Sequence, residues 1–177
     1  MRVISGSRRG MKLYYPIGQS RPTEDRIKEN IFNILQPLKK DAVVLDLFAC
    51  TGQVGIEFLS RGAKKAYFSE KNRKNLEILK MNLEKTRFQE ISKVLDGDFR
   101  RNLMQIREPL DYIFLDPPYK SDFILESLKR IAELDLLAEE GQIITETDQM
   151  IEYPEDLYEQ IFSRNYGDKE ISIYVRK

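Results

Sequence analysis

The sequence predicts an α/β protein in which a mostly parallel sheet, covered by helices on both sides, ends in an antiparallel hairpin and is preceded by a small β-hairpin and helix. Three observations carry this reading. From residue 42 onward, short apolar runs alternate with amphipathic helical stretches, the order that builds a parallel sheet. The runs AVVLDLF and DYIFL lack polar alternation, as strands buried on both faces do. The tail LYEQIFSRNYGDKEISIYVRK reads as two strands joined at Tyr166-Gly167-Asp168.

Taken in order, RVISG and MKLYYP flank Ser7-Arg8-Arg9-Gly10 as a small hairpin, and Pro16 to Ser20 forms a linker. RPTEDRIKENIFNIL is a helix with Thr23 as N-cap, acids in its first turn, and Ile27, Ile31, Ile34 and Leu35 on one stripe before Pro37. AVVLDLF is the first sheet strand, and VGIEFLSRG is a helix stopped at Gly62. KAYFSE, ISKVLDGD, DYIFLDPPY and GQIITET supply the second to fifth strands. The helices KNRKNLEILKMNLEKT, FRRNLMQI and ILESLKRIAEL separate them. The expected organisation is one domain over residues 1–177, with 1–40 as an N-terminal extension and 41–177 as the core.

Composition narrows the chemistry. The chain has 177 residues, 41% hydrophobic and 33% charged, with no apolar run long enough to cross a bilayer, so a cytoplasmic protein without a membrane partner is expected. One cysteine, Cys50, excludes an internal disulfide, and the absence of histidine excludes the usual zinc sites and Ser-His-Asp triads. No metal is expected, and the chemistry must rest on carboxylates, amides, rings and backbone. Lys+Arg and Asp+Glu balance at 29 each, yet Arg2, Arg8, Arg9, Lys12 and Arg21 open the chain with no acid among them. A basic arm on an acidic body is a modest nucleic-acid footprint, or a solvated terminal segment.

Ligands of such sheets bind beyond the carboxyl ends of the strands, where strand order reverses. At the first strand end, Asp46 precedes Cys50-Thr51-Gly52-Gln53-Val54-Gly55, which opens a helix and offers free backbone N–H groups. The strict G-x-G-x-x-G pattern fails at Cys50, and Gly52 also suits a tight turn needed for geometry alone. At the second, Glu70 lies 24 residues after Asp46 and can accept both ribose hydroxyls of an adenosine, or simply favour a helix start. At the third, Asp98 can accept from an adenine amino group or cap the following helix, and Asp96 competes for the role. Together they point to S-adenosylmethionine or a nicotinamide dinucleotide.

The fourth strand end, Asp116-Pro117-Pro118-Tyr119, favours the first. Neither proline can continue a helix or a ladder. Asp116 and the Pro117 carbonyl form a pair of acceptors that Pro118 stiffens, and Tyr119 adds a flat face. Such a group suits a planar base bearing an exocyclic NH2, anchoring both hydrogens so that the nitrogen lone pair points at a sulfonium methyl. Catalysis would rest on orientation and charge. The target base must be single-stranded or flipped out.

RVISGSRRGMKL, RPTEDRIKENIFNIL, LDLFACTGQVGIEFLSRGA, YFSEKN and FLDPPY, in that order over residues 2 to 120, resemble the RsmD family of bacterial 16S ribosomal RNA guanine-N2 methyltransferases. The resemblance implies a Rossmann-like class I methyltransferase fold and S-adenosylmethionine as cofactor. It also implies 16S rRNA or an assembling small ribosomal subunit as partner of a monomer. It would put Asp46, Phe48, Ala49, Gly52, Glu70 and Asp98 at the cofactor and Asp116, Pro117, Pro118 and Tyr119 at the target guanine. The RPTEDR segment would cover the pocket through Thr23 and Arg26, with Arg8 and Arg9 toward RNA. Cys50 departs from the family's glycine, so a negative φ is expected there, because non-glycine residues tolerate φ > 0 poorly. An adenine-N6 methyltransferase of RNA or DNA, a nicotinamide-dependent oxidoreductase and a catalytically silent RNA-binding protein share parts of the pattern.

Overall fold

The computed structural model describes residues 1–16, 22–118 and 122–177, with backbone alone at 22–24. Its strands are β1 (Val43–Asp46), β2 (Lys65–Glu70), β3 (Ser92–Asp96), β4 (Leu110–Leu115), β5 (Leu137–Thr147), β6 (Tyr158–Tyr166) and β7 (Lys169–Arg176). They form one seven-stranded sheet in the order β3-β2-β1-β4-β5-β7-β6. The first five strands pair in parallel, and β7 lies antiparallel between β5 and β6. The order reverses between β1 and β4, which sets a crevice at their carboxyl ends. Gly167, at φ 68, supplies the left-handed residue of the tight turn between β6 and β7.

Helices α1 (Pro22–Ile34), α2 (Gln53–Ser60), α3 (Arg73–Thr86), α4 (Phe99–Leu103) and α5 (Phe123–Glu133) cover the sheet. Alternate strand residues feed two separate cores. Val44, Phe68, Phe114, Ile144 and Ile171 pack with α1, α2 and α3 on one face. Leu45, Tyr67, Ile113, Leu115, Ile143 and Tyr174 pack with α4 and α5 on the other. This is why β1 and β4 read as unbroken apolar runs: each inward side chain on either face contributes on the order of 1.5–3 kcal/mol of burial. Helix α5 buries Ile124, Leu128 and Ile131, the spacing of one helical face.

Helix α1 begins at Pro22, which corrects the expectation of Thr23 as its N-cap. Proline's fixed φ and missing N–H suit the first helical position, so the start moves ahead of Thr23. The linker beyond Pro16 lies outside the described residues.

The N-terminal hairpin is reduced to one bridge, Arg2 with Lys12, around a single 3-10 turn at Gly6–Arg8. It is fixed by polar anchors. Buried Glu57 on α2 accepts the N–H groups of Ile4 at 2.8 Å and Ser5 at 2.9 Å. A Cβ on Gly6 would lie 1.8 Å from the Ser60 carbonyl oxygen, so only glycine permits this approach. Asn82 of α3 brackets Tyr14, accepting from its N–H at 2.7 Å and donating to its carbonyl at 3.0 Å.

Candidate active site

The crevice at the switch point is a cavity of about 680 Å³. Its lower wall is the loop from β1 to α2. Asp46 is buried beneath that loop and accepts the Gly55 N–H at 3.0 Å. Leu47 N–H donates to the Phe114 carbonyl at 3.1 Å, and Ala49 N–H to the Ser69 carbonyl at 2.9 Å, so the loop is sewn to the ends of both neighbouring strands. Asn82 donates to the Thr51 carbonyl at 2.9 Å, linking the same loop to the N-terminal arm that Asn82 also holds.

Two residues of this loop take left-handed backbone. Gly52 has φ 83, and a Cβ there would lie 2.2 Å from Leu79 Cδ1. Cys50 has φ 49, which corrects the expected negative φ: the bonds on either side hold the turn in its shape although the residue has a Cβ. Burial, aided by the charge of Glu70, pushes the Cys50 thiol up to about 11. It therefore stays protonated and lines the cavity as a small apolar group.

The ends of β2 and β3 form the next wall. Glu70 Oε1 accepts the N–H groups of Lys71 at 2.8 Å and Asn72 at 2.7 Å, which fixes the carboxylate at the cavity edge. Buried Asn102 donates to Ser69 Oγ, the Leu95 carbonyl and the Gly97 carbonyl at 2.9–3.0 Å and so holds the two strand ends together. Asp98 takes the cap role expected of it, accepting the Arg100 N–H at 2.9 Å at the start of α4, and it also lines the cavity. Phe48, Phe99 and Phe123 cluster here with ring centroids 5.1–6.1 Å apart. Arg100 lies over Phe99 and Phe123.

Opposite them, Asp116, Pro117 and Pro118 leave β4 and line the cavity. Beyond them are Glu146 of β5 and Lys169 of β7, their charges 3.7 Å apart. Buried Lys28 enters from α1, its Nζ donating to the Arg2 carbonyl at 2.7 Å and lying 3.8 Å from Glu57. Gln53 opens α2 at the cavity, and its Oε1 is buried without a hydrogen-bond partner among the described residues. That acceptor is set for a donor that no described residue provides.

The crevice thus gathers Phe48, Glu70, Asp98, Asp116, Pro117 and Pro118. Asp46, Ala49 and Gly52 lie beneath it and shape the loop. Tyr119 and the Thr23 side chain lie outside the described residues. Arg8 is used elsewhere: its Nε donates to the Thr86 carbonyl at 2.7 Å and its guanidinium covers Phe88. Arg9 and Arg26 are exposed and do not line the cavity. Sequence reasoning missed Gln53, Phe99, Phe123, Lys28, Glu146 and Lys169. Gln53 and Phe99 each adjoin a residue already singled out, Gly52 and Asp98, and were within reach. Lys28 and Lys169 sit on elements whose place against the sheet no local pattern reveals.

Among the described residues, five carboxylates (Glu70, Asp98, Asp116, Glu146, Asp168) and three lysines (Lys28, Lys71, Lys169) line the cavity. The excess of acid favours a cationic ligand. No group of residues suited to hold a metal ion occurs among the described residues, and no helix there is long and apolar enough to cross a membrane.

The profile of a family described as "Conserved hypothetical protein 95" matches residues 1–175. The Bacillus subtilis protein YlbH is 38% identical over the full length of both chains. The Escherichia coli "Ribosomal RNA small subunit methyltransferase D" is 34% identical, over 84% of this chain and 75% of that one. Among solved structures, the Escherichia coli protein yhhF superposes with a TM-score of 0.88 at 32% identity, covering 100% of this chain and 98% of that one.

Proposed function

The chain belongs to the RsmD family, described as conserved hypothetical protein 95, and from that premise we propose that it is an S-adenosylmethionine-dependent rRNA methyltransferase whose target is the exocyclic N2 amine of a guanine in 16S rRNA. The observation that carries the reading is the meeting of Asp116-Pro117-Pro118 with Glu70 and Asp98 in one crevice at the switch point. The cofactor supplies a sulfonium methyl, an electrophile that needs no metal. The lining suits it: an unpartnered Gln53 oxygen among the described residues, two carboxylates on adjacent strand ends, an aromatic wall and a net acidic surface. That acidic surface disfavours the pyrophosphate of a nicotinamide dinucleotide.

Glu70 would hold the ribose hydroxyls and Asp98 the adenine amine, against Phe48 and Phe99. Gln53 would accept from the amino end of the methionine part. The Asp116 carboxylate and the Pro117 carbonyl would accept the two hydrogens of guanine N2, turning its lone pair out of the ring system. Asp116 is also the acceptor at hand for the proton that nitrogen must lose. Orientation of this kind contributes on the order of 7–11 kcal/mol in ideal cases. Tyr119 would stack on the base, and exposed Arg9, Lys12 and Arg26 would meet phosphates. The protein would act as a single-domain monomer.

Calorimetric titration with S-adenosylhomocysteine, paired with methyl transfer to small ribosomal subunits, tests the reading. D116A should bind S-adenosylhomocysteine as tightly as the unaltered protein and lose transfer by at least about 100-fold. Undiminished transfer by D116A, or binding of NAD in place of S-adenosylhomocysteine, would refute it.

A further inference from the structure

Residues Asp116, Glu146 and Lys169 occupy neighbouring positions across three adjacent strands. Leu115 pairs with Thr145, so Asp116, one residue past β4, stands beside Glu146; Ile171 lies opposite Glu146, and Lys169, two residues from it at the start of β7, reaches Glu146 diagonally with its Nζ 3.7 Å from the carboxylate. All three line the cavity. Phe114, Ile144 and Ile171, each two residues before or after them, share the core on the α1 side, so the strand alternation turns the three side chains toward that same side. The Lys169 and Glu146 charges lie 3.7 Å apart, close enough for both to meet neighbouring groups on one edge of a base.

The Lys169–Glu146 pair is nearly buried, with side-chain exposures of 11% and 14%. A buried ion pair adds little net stability, because desolvating both charges offsets their attraction. Its value here is chemical order. Lys169 is a donor with three N–H groups, Glu146 an acceptor and Asp116 an acceptor.

We propose that Lys169, Glu146 and Asp116 form a donor–acceptor–acceptor row that reads the Watson–Crick edge of guanine, with Lys169 on O6, Glu146 on N1–H and Asp116 on N2–H. This rests on the function proposed above and assigns its base specificity. Adenine offers a donor at N6 and an acceptor at N1, so it meets Lys169 donor to donor and Glu146 acceptor to acceptor. Guanine can join the Lys169–Glu146 pair with donor facing acceptor at both groups, whereas adenine sets like against like at both, and that difference disfavours adenine. Lys169 and Glu146 are therefore specificity residues, and the DPP corner alone does not distinguish one amine from another.

The test uses the base analogue 2,6-diaminopurine, which keeps the N2 amine of guanine and carries adenine's pattern at positions 6 and 1. After the methylated position has been mapped by nucleoside analysis, small subunits are reconstituted with guanine or the analogue at that position. The full-length protein should prefer guanine in kcat/KM by roughly 10- to 100-fold or more. K169M should lose about 10-fold or more on guanine, chiefly through KM, and little on the analogue, so that the preference narrows. E146Q, whose amide can donate to N1, should shift preference toward the analogue. S-adenosylhomocysteine affinity serves as the control for folding, and if K169M loses it, the E146Q ratio decides. A guanine product with parallel losses on both substrates overturns the row and leaves the methyltransferase reading standing. A product on adenine, or none, overturns both.

Discussion

Replacing Glu57 by Gln perturbs the joint between the N-terminal arm and the sheet. The Glu57 carboxylate is fully buried and has four partners: the N–H groups of Ile4 and Ser5 at 2.8 and 2.9 Å, Arg61 Nε at 2.8 Å, and Lys28 Nζ at 3.8 Å. All four are donors. Gln keeps the shape but turns one acceptor into a donor, so one backbone N–H or the guanidinium faces an NH2. Removing the anion also strands Lys28, whose pKa is lowered by burial and held up by the charges of Glu57 and Asp25. Breaking such a buried pair costs roughly 3–5 kcal/mol. For a chain of this size that corresponds to a fall in Tm of roughly 6–20 °C. Urea unfolding followed by circular dichroism measures the loss, and hydrogen exchange should show the amides of Ile4 and Ser5 losing protection first. A loss below about 1 kcal/mol would refute the reasoning, because the carboxylate would then contribute no more than a surface pair.

Two further perturbations probe the loop beneath the cavity. C50G removes a Cβ from left-handed backbone, a strain of about 1–2 kcal/mol, against roughly 0.5–1 kcal/mol of added chain entropy, so thermal unfolding should be unchanged or slightly raised; a marked fall would mean that the φ of 49 stores no strain. D46N tests the burial of Asp46, whose carboxyl is pushed from 3.8 up to about 7 by desolvation and by the charge of Glu70, against the opposing Gly55 N–H. The folded state then holds that proton more tightly than the unfolded one, so this group's contribution to stability falls as pH rises between about 4 and 7. The stability difference between the original protein and D46N should decline across that window, as read by urea unfolding at several pH values. A flat or rising difference would contradict it.

The alternation of apolar runs and amphipathic stretches located every strand of the sheet, because period and burial are local properties. The corner at Asp116 was equally legible, since two prolines after a buried strand admit few conformations. What local pattern misplaced has a tertiary cause. Cys50 adopts φ 49 because a bond to the Ser69 carbonyl and bonds from Gly52 and Asn82 fix the loop around it. Thr23 gave way as helix start to Pro22, whose ring is the better first residue. Arg8, read as part of a basic arm, is spent on the Thr86 carbonyl and the Phe88 ring, partners far along the chain. Glu57 looked like one more helix glutamate, and Lys169 like one more charge near a turn; only the docking of the arm and the register of β5 with β7 give them their places.

The central claim is best tested by incubating the protein with radiolabelled S-adenosylmethionine and small ribosomal subunits from a strain lacking the gene, then hydrolysing the RNA to nucleosides. The account predicts label in N2-methylguanosine from a single site, lost with D116A. Label in N6-methyladenosine, or in no nucleoside at all, would contradict it.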